Sequence, residues 1–370
     1  MEHLFIEISV MTIAATALGL VANKFRQPLV LGYVLAGFLL GPSGFSVISG
    51  TDTVGVLSTF GVAFLLFLVG IELDVDKLKQ MGRSSVLLGI GQIIVTFVLG
   101  FGLVRALGFG ALGAGYVAIA LTLSSTVIVV KLLSEQQAID SLYGRLAIGM
   151  LLVQDFVAIL TLVVLSGFST NSPPTPANII LLVFEGVALV TLALLCGKYL
   201  LPSLFRALAH SGELLLLASI AWCFTFAMLA AAMGLSVEIG AFLAGLSLAR
   251  LPYNLEIVGK VRNLRDFFIT IFFVALGSQL ILYSLGSLFI PFLVLSLFIL
   301  IGNPLIVMVI LGLLGYRKRT SLLVGLTVAQ VSEFSLILMA LGAKLGHVTS
   351  AEVSLVTLVG IVTITASTYL

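Results

Sequence analysis

Residues 142–168 read LYGRLAIGMLLVQDFVAILTLVVLSGF, and beyond Arg145 the one charged residue in this apolar run is Asp155. A helix needs about 20 predominantly apolar residues to cross a bilayer, and this stretch supplies them with a carboxyl at its centre. Outward from it, the same kind of run recurs along all 370 residues: 60% of the chain is hydrophobic, 9% is charged and the mean hydropathy is +1.27. Soluble domains carry roughly 25% charged residues. That balance excludes a soluble globular enzyme, a disordered chain and a nucleic-acid binder. Strands of an outer-membrane barrel would alternate apolar and polar residues, which these runs do not. The sequence is that of an all-α polytopic membrane protein.

The start Met1-Glu2-His3 lacks the basic segment of a signal peptide, so the first apolar run is read as a retained helix. Cys196 and Cys223 lie in apolar stretches, and His3, His210 and His347 are far apart in sequence, so neither a disulfide framework nor a metal cluster is expected. Apolar runs between polar breaks predict thirteen spans, near 4–22, 28–41, 54–72, 84–105, 112–133, 142–168, 178–201, 212–233, 235–251, 264–283, 287–314, 320–343 and 350–370. Pro28, Pro202 and Pro252 are read as helix edges, and Ser169–Pro176 as the clearest loop. With the N-terminus outside, sixteen of the 18 Lys and Arg, from Lys24 and Arg26 to Arg317, Lys318 and Arg319, fall in inner loops; the outer loops hold Arg105 and Lys344. This positive-inside bias would degrade if a span were added or lost, so it supports thirteen helices, N-terminus out and C-terminus in.

Segments recur at a nearly constant offset. Gly32-Tyr-Val-Leu-Ala-Gly37 in span 2 echoes Gly240-Ala-Phe-Leu-Ala-Gly245 in span 9. Phe64–Leu73 in span 3 echoes Ile271–Leu280 in span 10, and Leu121-Thr122 more weakly echoes Leu326-Thr327. Partners lie seven helices apart, an odd number, so they cross the membrane in opposite directions. This pattern predicts inverted six-helix repeats with span 7 as linker, an arrangement of secondary transporters whose site lies mid-membrane between the halves.

Polar groups at mid-membrane are the candidate site. An ionised, unpaired carboxylate at the position of Asp155 costs several kcal/mol, so the group is protonated, paired or bound to a cation. Gln154 beside it offers an amide oxygen. Ser124, Ser125 and Thr126 in span 5 could replace water around a dehydrated monovalent cation; helix packing by hydroxyls is the alternative. Glu333 lies near the middle of span 12, within Ala329-Gln330-Val-Ser332-Glu333-Phe334. Glu7, Glu72, Glu185 and Glu238 lie nearer span ends and are read mainly as interfacial charges. No Gly or Pro breaks spans 5 and 12 at these points, so broken helices do not follow from composition there.

Taken in order, Gly32–Gly37, Gly70-Ile-Glu-Leu-Asp74, Leu123-Ser-Ser-Thr126, Gly144-Arg145, Gln154-Asp155, Gly240–Gly245 and Ser332-Glu-Phe334 resemble the membrane domain of the monovalent cation:proton antiporter-2 family, in its glutathione-gated potassium efflux (Kef-type) branch. The resemblance covers nearly the whole chain. It implies the sodium/proton-antiporter fold, with 1–83 and 212–286 as a dimerisation scaffold, 84–168 and 287–370 as a moving core, and 169–211 as the linker helix. It implies that spans 5 and 12 are unwound and cross beside Asp155, and that the protein is a homodimer in the cell membrane. Two departures matter. Asn303, followed by Pro304, stands where many members carry a lysine, and the sequence ends at Leu370, before the place of the nucleotide-binding regulatory domain common in this branch, so either that regulator is absent or it lies outside these residues.

The expected function is exchange of a monovalent cation, potassium, for protons, with Asp155 as the shared site. Gln154, Ser124, Ser125 and Thr126 are the helpers, and Glu333, Ser332, Gln330 and Asn303 accessory groups. Sodium/proton exchange is the alternative within the class, and a gated cation channel or sensor the alternative outside it. No cofactor or nucleic acid is expected; the partners are the transported ions, lipid and a second copy of the chain.

Overall fold

A computed structural model describes residues 2–47, 51–72, 82–166, 176–208, 210–280, 285–367 and 369. Most of the Ser169–Pro176 loop, and Leu73-Asp74 of the Gly70 motif, lie outside them. Among the described residues all regular structure is helical: α1 (Glu2–Lys24), α2 (Leu29–Leu40), α3 (Thr51–Glu72), α4 (Arg83–Ala106), α5 (Ala111–Thr122), α6 (Thr126–Glu135), α7 (Leu142–Ser166), α8 (Pro176–Leu195), α9 (Leu201–Leu208), α10 (Gly212–Ala232), α11 (Val237–Leu248), α12 (Asn254–Ser278), α13 (Leu285–Leu297), α14 (Asn303–Leu313), α15 (Lys318–Thr327), α16 (Glu333–Lys344) and α17 (Ser350–Ser367). Among the described residues, eight helical stretches are long and apolar enough to cross a membrane. His3 lies within α1.

Two joints are continuous. α8 runs into α9, and α13 into α14, through π-helical turns at Cys196–Leu200 and Phe298–Gly302. In each, the backbone N–H of the following residue reaches five residues back, Leu201 to Cys196 and Asn303 to Phe298. The next residue is proline in both, Pro202 and Pro304. A proline ring crowds the carbonyl four residues behind it and has no N–H to offer, and widening the preceding turn relieves both problems. Pro202 is therefore inside a helix, not at its edge as the sequence reading had it.

The chain divides into two compact units. The first comprises Met1–Ala17, Tyr33–Val75 and Val163–Ser278. There α3 packs on α11 and α12, and α11 on α10 and α8. Phe64, Leu66, Phe67 and Leu68 of α3 are buried on successive faces, which makes α3 the centre of this unit. In lipid, apolar side chains gain little by leaving one apolar surface for another, so backbones approach through small residues. A Cβ on Gly37 would strike the carbonyl of Val274, and one on Gly277 the carbonyl of Val34. The mirror contacts recur at Gly245 against Phe67 and at Gly70 against Phe242.

The second unit comprises Leu18–Gly32, Asp76–Leu162 and Gln279–Leu370. α4 packs on α5 and α14, α14 on α15, α16 on α5, and both α13 and α16 on α17. Leu88, Leu133, Met150, Leu151, Val307, Leu311 and Val324 form its buried apolar cluster. In this unit a Cβ at Gly32 would lie 2.7 Å from the carbonyl oxygen of Leu18, and Gly240 meets Phe226 in the same way within the first unit. The sequence offset between Gly32 and Gly240 is the offset between Leu18 and Phe226.

Candidate ion-binding site

The α5–α6 and α15–α16 segments are each one apolar run interrupted near its middle, at 123–125 and at 328–332. Leu123 and Ser125 are extended (φ −95°, ψ 130° and φ −75°, ψ 113°), as is Ser332 (φ −86°, ψ 156°). Serine hydroxyls compete with the helical ladder and favour N-caps. Here Ser125 Oγ accepts from Ile128 N at 3.4 Å and Ser332 Oγ from Phe334 N at 3.2 Å, starting α6 and α16.

Unwound backbone at membrane depth persists only where its polar groups are satisfied by protein or water. The two breaks satisfy each other. Ser332 N donates to Leu123 O at 3.0 Å, Ser124 Oγ donates to Val328 O at 3.0 Å, and the Gln330 amide reaches Ser125 O at 3.5 Å. Val331 N donates to Thr363 Oγ1 at 3.3 Å, and Ser367 Oγ donates to Gln330 Oε1. Four half-helix ends are thus held together, with partial positive charge at the starts of α6 and α16 and partial negative charge at the ends of α5 and α15.

Asp155 sits in α7 alongside the start of α6, and Thr126 Oγ1 donates to its Oδ2 at 2.8 Å. Asp155 and Glu333 both retain accessible surface, while Ser124, Ser125, Gln154, Gln330 and Ser332 are buried. Glu333 is the first residue of α16, where a carboxylate is favoured by the helix N-terminus, and it lies close enough to Asp155 to act on it electrostatically. A carboxylate, a hydroxyl and a second carboxyl, each only partly buried, make a set of hard oxygen ligands.

The candidate residues take separate places. Thr126 touches the carboxylate of Asp155. Ser124 turns its hydroxyl to Val328 and its N–H to Gln154 Oε1 at 3.0 Å, and Ser125 caps α6. Gln154 also donates to Gln92 Oε1 at 2.7 Å, so both ends of its amide hold neighbouring protein groups. Asn303 donates to Val328 O at 3.1 Å and accepts from Gln92 Nε2 at 2.9 Å and from Thr96 Oγ1 at 3.3 Å. Gln92 and Thr96 escaped the sequence reading. A signal was there: Gln92 is the lone amide side chain in the apolar run from Val86 to Leu99.

Residues 9–370 match the family described as sodium/hydrogen exchanger, transmembrane. The chain is 30% identical over 350 residues to K(+) efflux antiporter 6 of Arabidopsis thaliana, covering 93% of this chain and 58% of that protein. It is 31% identical over 368 residues to the putative cation/proton antiporter YbaL of Escherichia coli K12, covering 93% of this chain and 63% of the relative. The chain therefore spans about three fifths of the length of these relatives. Among solved structures, the sodium proton antiporter MjNhaP1 from Methanocaldococcus jannaschii at pH 8 superposes with a TM-score of 0.69 at 17% identity, over 99% of this chain and 95% of that one. With the fold shared and the family's sequence matched from residue 9 to the last residue, the chain belongs to the transmembrane sodium/hydrogen exchanger family.

Proposed function

We propose that the protein exchanges a monovalent cation, potassium, for protons across the cell membrane by alternating access. The observation that carries the reading is the part-buried Asp155 carboxyl, held by Thr126 beside two mutually stitched helix breaks. Burial in a membrane disfavours the bare charge, and a proton or a dehydrated cation each relieves it, so the same carboxylate serves both ions in turn. The names of the potassium efflux relatives support potassium as the cation; sodium is the alternative, because both ions take oxygen ligands.

In this reading the helical stretches make thirteen crossings, N-terminus out and C-terminus in, as the placement of basic residues supports. The glycine contacts recurring at one offset support two inverted repeats. The division into two compact units, which groups 33–75 with 212–278 and 84–162 with 287–370, supports a scaffold of 1–83 and 212–286 and a core of 84–168 and 287–370 that carries the ion; two copies dimerise through the scaffold. The test uses purified protein in liposomes with an internal pH dye, challenged with K⁺, Na⁺ and Li⁺ in turn. Cation-driven proton movement with K⁺ supports the reading. A response to Na⁺ alone would move the substrate to sodium, and a cation leak without proton movement would make it a channel.

A further inference from the structure

We propose that Gln92 is the positioning residue of the cation site: its amide joins Gln154 on α7 to Asn303 on α14 and so fixes where the two helix breaks hold Thr126 against Asp155. The proposal rests on the reading of Asp155 as the exchanged-ion site.

Gln92, Gln154 and Asn303 are 0%, 1% and 0% exposed, so each unmade hydrogen bond would be costly. Three backbone groups fix how the three amides point. Ser124 N–H can only donate, so the Gln154 atom 3.0 Å from it is the carbonyl oxygen. That turns the Gln154 NH₂ to Gln92, whose Oε1 receives it at 2.7 Å. Gln92 then presents its own NH₂ to Thr122 O at 3.3 Å, a group that can only accept, and to Asn303 Oδ1 at 2.9 Å, with Thr96 Oγ1 at 3.1 Å. Asn303 in turn spends its NH₂ on Val328 O at 3.1 Å. Every amide has one permitted orientation, and flipping any one sets like against like at both of its ends.

The relay touches the C-terminal end of α5 at Thr122, the break at Ser124 and the C-terminal end of α15 at Val328. Thr126 follows two residues after Ser124, and Asp155 follows Gln154 directly. The distance from Thr126 to Asp155 is therefore set by how the relay ties α4, α7 and α14 to the breaks. Gln92 is its one member bonded to both others. It touches neither carboxyl, so it acts through them.

The experiment compares wild type, Gln92→Met and Gln92→Glu, each as the full chain in liposomes, with hydrogen–deuterium exchange on the same preparations. Gln92→Met keeps the length and loses the amide. A misplacement of about 1 Å can cost up to ~100-fold, so the KM for the cation is expected to rise about tenfold or more while the maximal rate changes far less. Exchange should speed up over 123–126 and 328–332 and stay put elsewhere. In Gln92→Glu the new carboxyl, when protonated, keeps one donor and one acceptor. Flux should therefore approach wild type at acidic pH and fall away faster than wild type as pH rises.

An unchanged KM with unchanged exchange at the breaks in Gln92→Met would overturn the proposal. So would equal loss of KM and rate with exchange raised throughout, which marks a merely structural residue. Should wild type give no cation-driven proton flux, the antiport reading fails by itself, and protection at the two breaks then decides the role of Gln92.

Discussion

At Asp155 the contact with Thr126 decides what a substitution should do. Asp155→Asn keeps the size of the side chain and removes the exchangeable proton, and a neutral amide is readily buried. It should abolish exchange in the liposome assay while the protein still expresses and elutes like wild type; cation-dependent proton flux at the wild-type level would remove Asp155 from the site. Thr126→Val keeps the branched shape and deletes the donor 2.8 Å from Oδ2. A hydrogen bond to a charged group contributes about 1.5–3 kcal/mol, so the KM for the cation should rise by about tenfold or more. An unaltered KM would mean that the cation sits away from this hydroxyl. Glu333 shares the field of Asp155 but starts its own helix. Glu333→Gln keeps that position neutral and is expected to leave exchange running. A loss equal to that of Asp155→Asn would show that both carboxyls release protons.

At the scale of the helices, the breaks in α5–α6 and α15–α16 depend on donors that come from elsewhere in the chain. Val328 O, at the end of α15, receives both Asn303 Nδ2 and Ser124 Oγ. Asn303→Leu removes one of these donors and takes one acceptor from the Gln92 NH₂, so about 1–3 kcal/mol of stability should be lost. The loss would appear as earlier thermal inactivation in detergent, and a melting curve matching wild type would show that Ser124 alone suffices. These dependencies explain what the sequence could and could not reveal. The glycine motifs were legible because each marks a backbone approach that a Cβ would block, as Gly37 and Gly245 do. Asp155 and Glu333 were legible because carboxyls are rare in apolar runs. The breaks were not legible in composition, because Ser and Thr occur in unbroken membrane helices too, and it was family resemblance that suggested them. What holds the breaks open lies far off in sequence, on Gln92 and Asn303. The role of the π turns was hidden for a related reason: Pro202 and Pro304 end a helix unless the preceding turn widens, and widening depends on what packs around it.

For the molecule as a whole, the question is how many charges move per cycle. Asn303, Gln92 and Gln154 satisfy the carbonyl ends of α5 and α15 and the break at Ser124 with neutral amides, so the relay holds no charge that could be released. Two acidic groups remain, Asp155 and Glu333, and they repel each other when both are ionised. Neighbouring carboxyls of this kind do not readily give up both protons, because the second ionisation meets the charge left by the first. One bound monovalent cation offsets one negative charge. On the proposed reading the pair then exchanges one proton for one cation, and each half-cycle carries one positive charge in opposite directions. Exchange should be electroneutral. An uncompensated charge would couple to the membrane potential by about 2.3 kcal/mol per 100 mV, which is large against the gradients used in such assays. The measurement sets known cation and pH gradients across liposomes, clamps the voltage with an independent ionophore, and finds the gradient at which net flux vanishes. That null point should stay where the two concentration ratios are equal, whatever the voltage. A null point that shifts with voltage would mean that both carboxyls titrate in each cycle, and Glu333→Gln should then restore voltage independence.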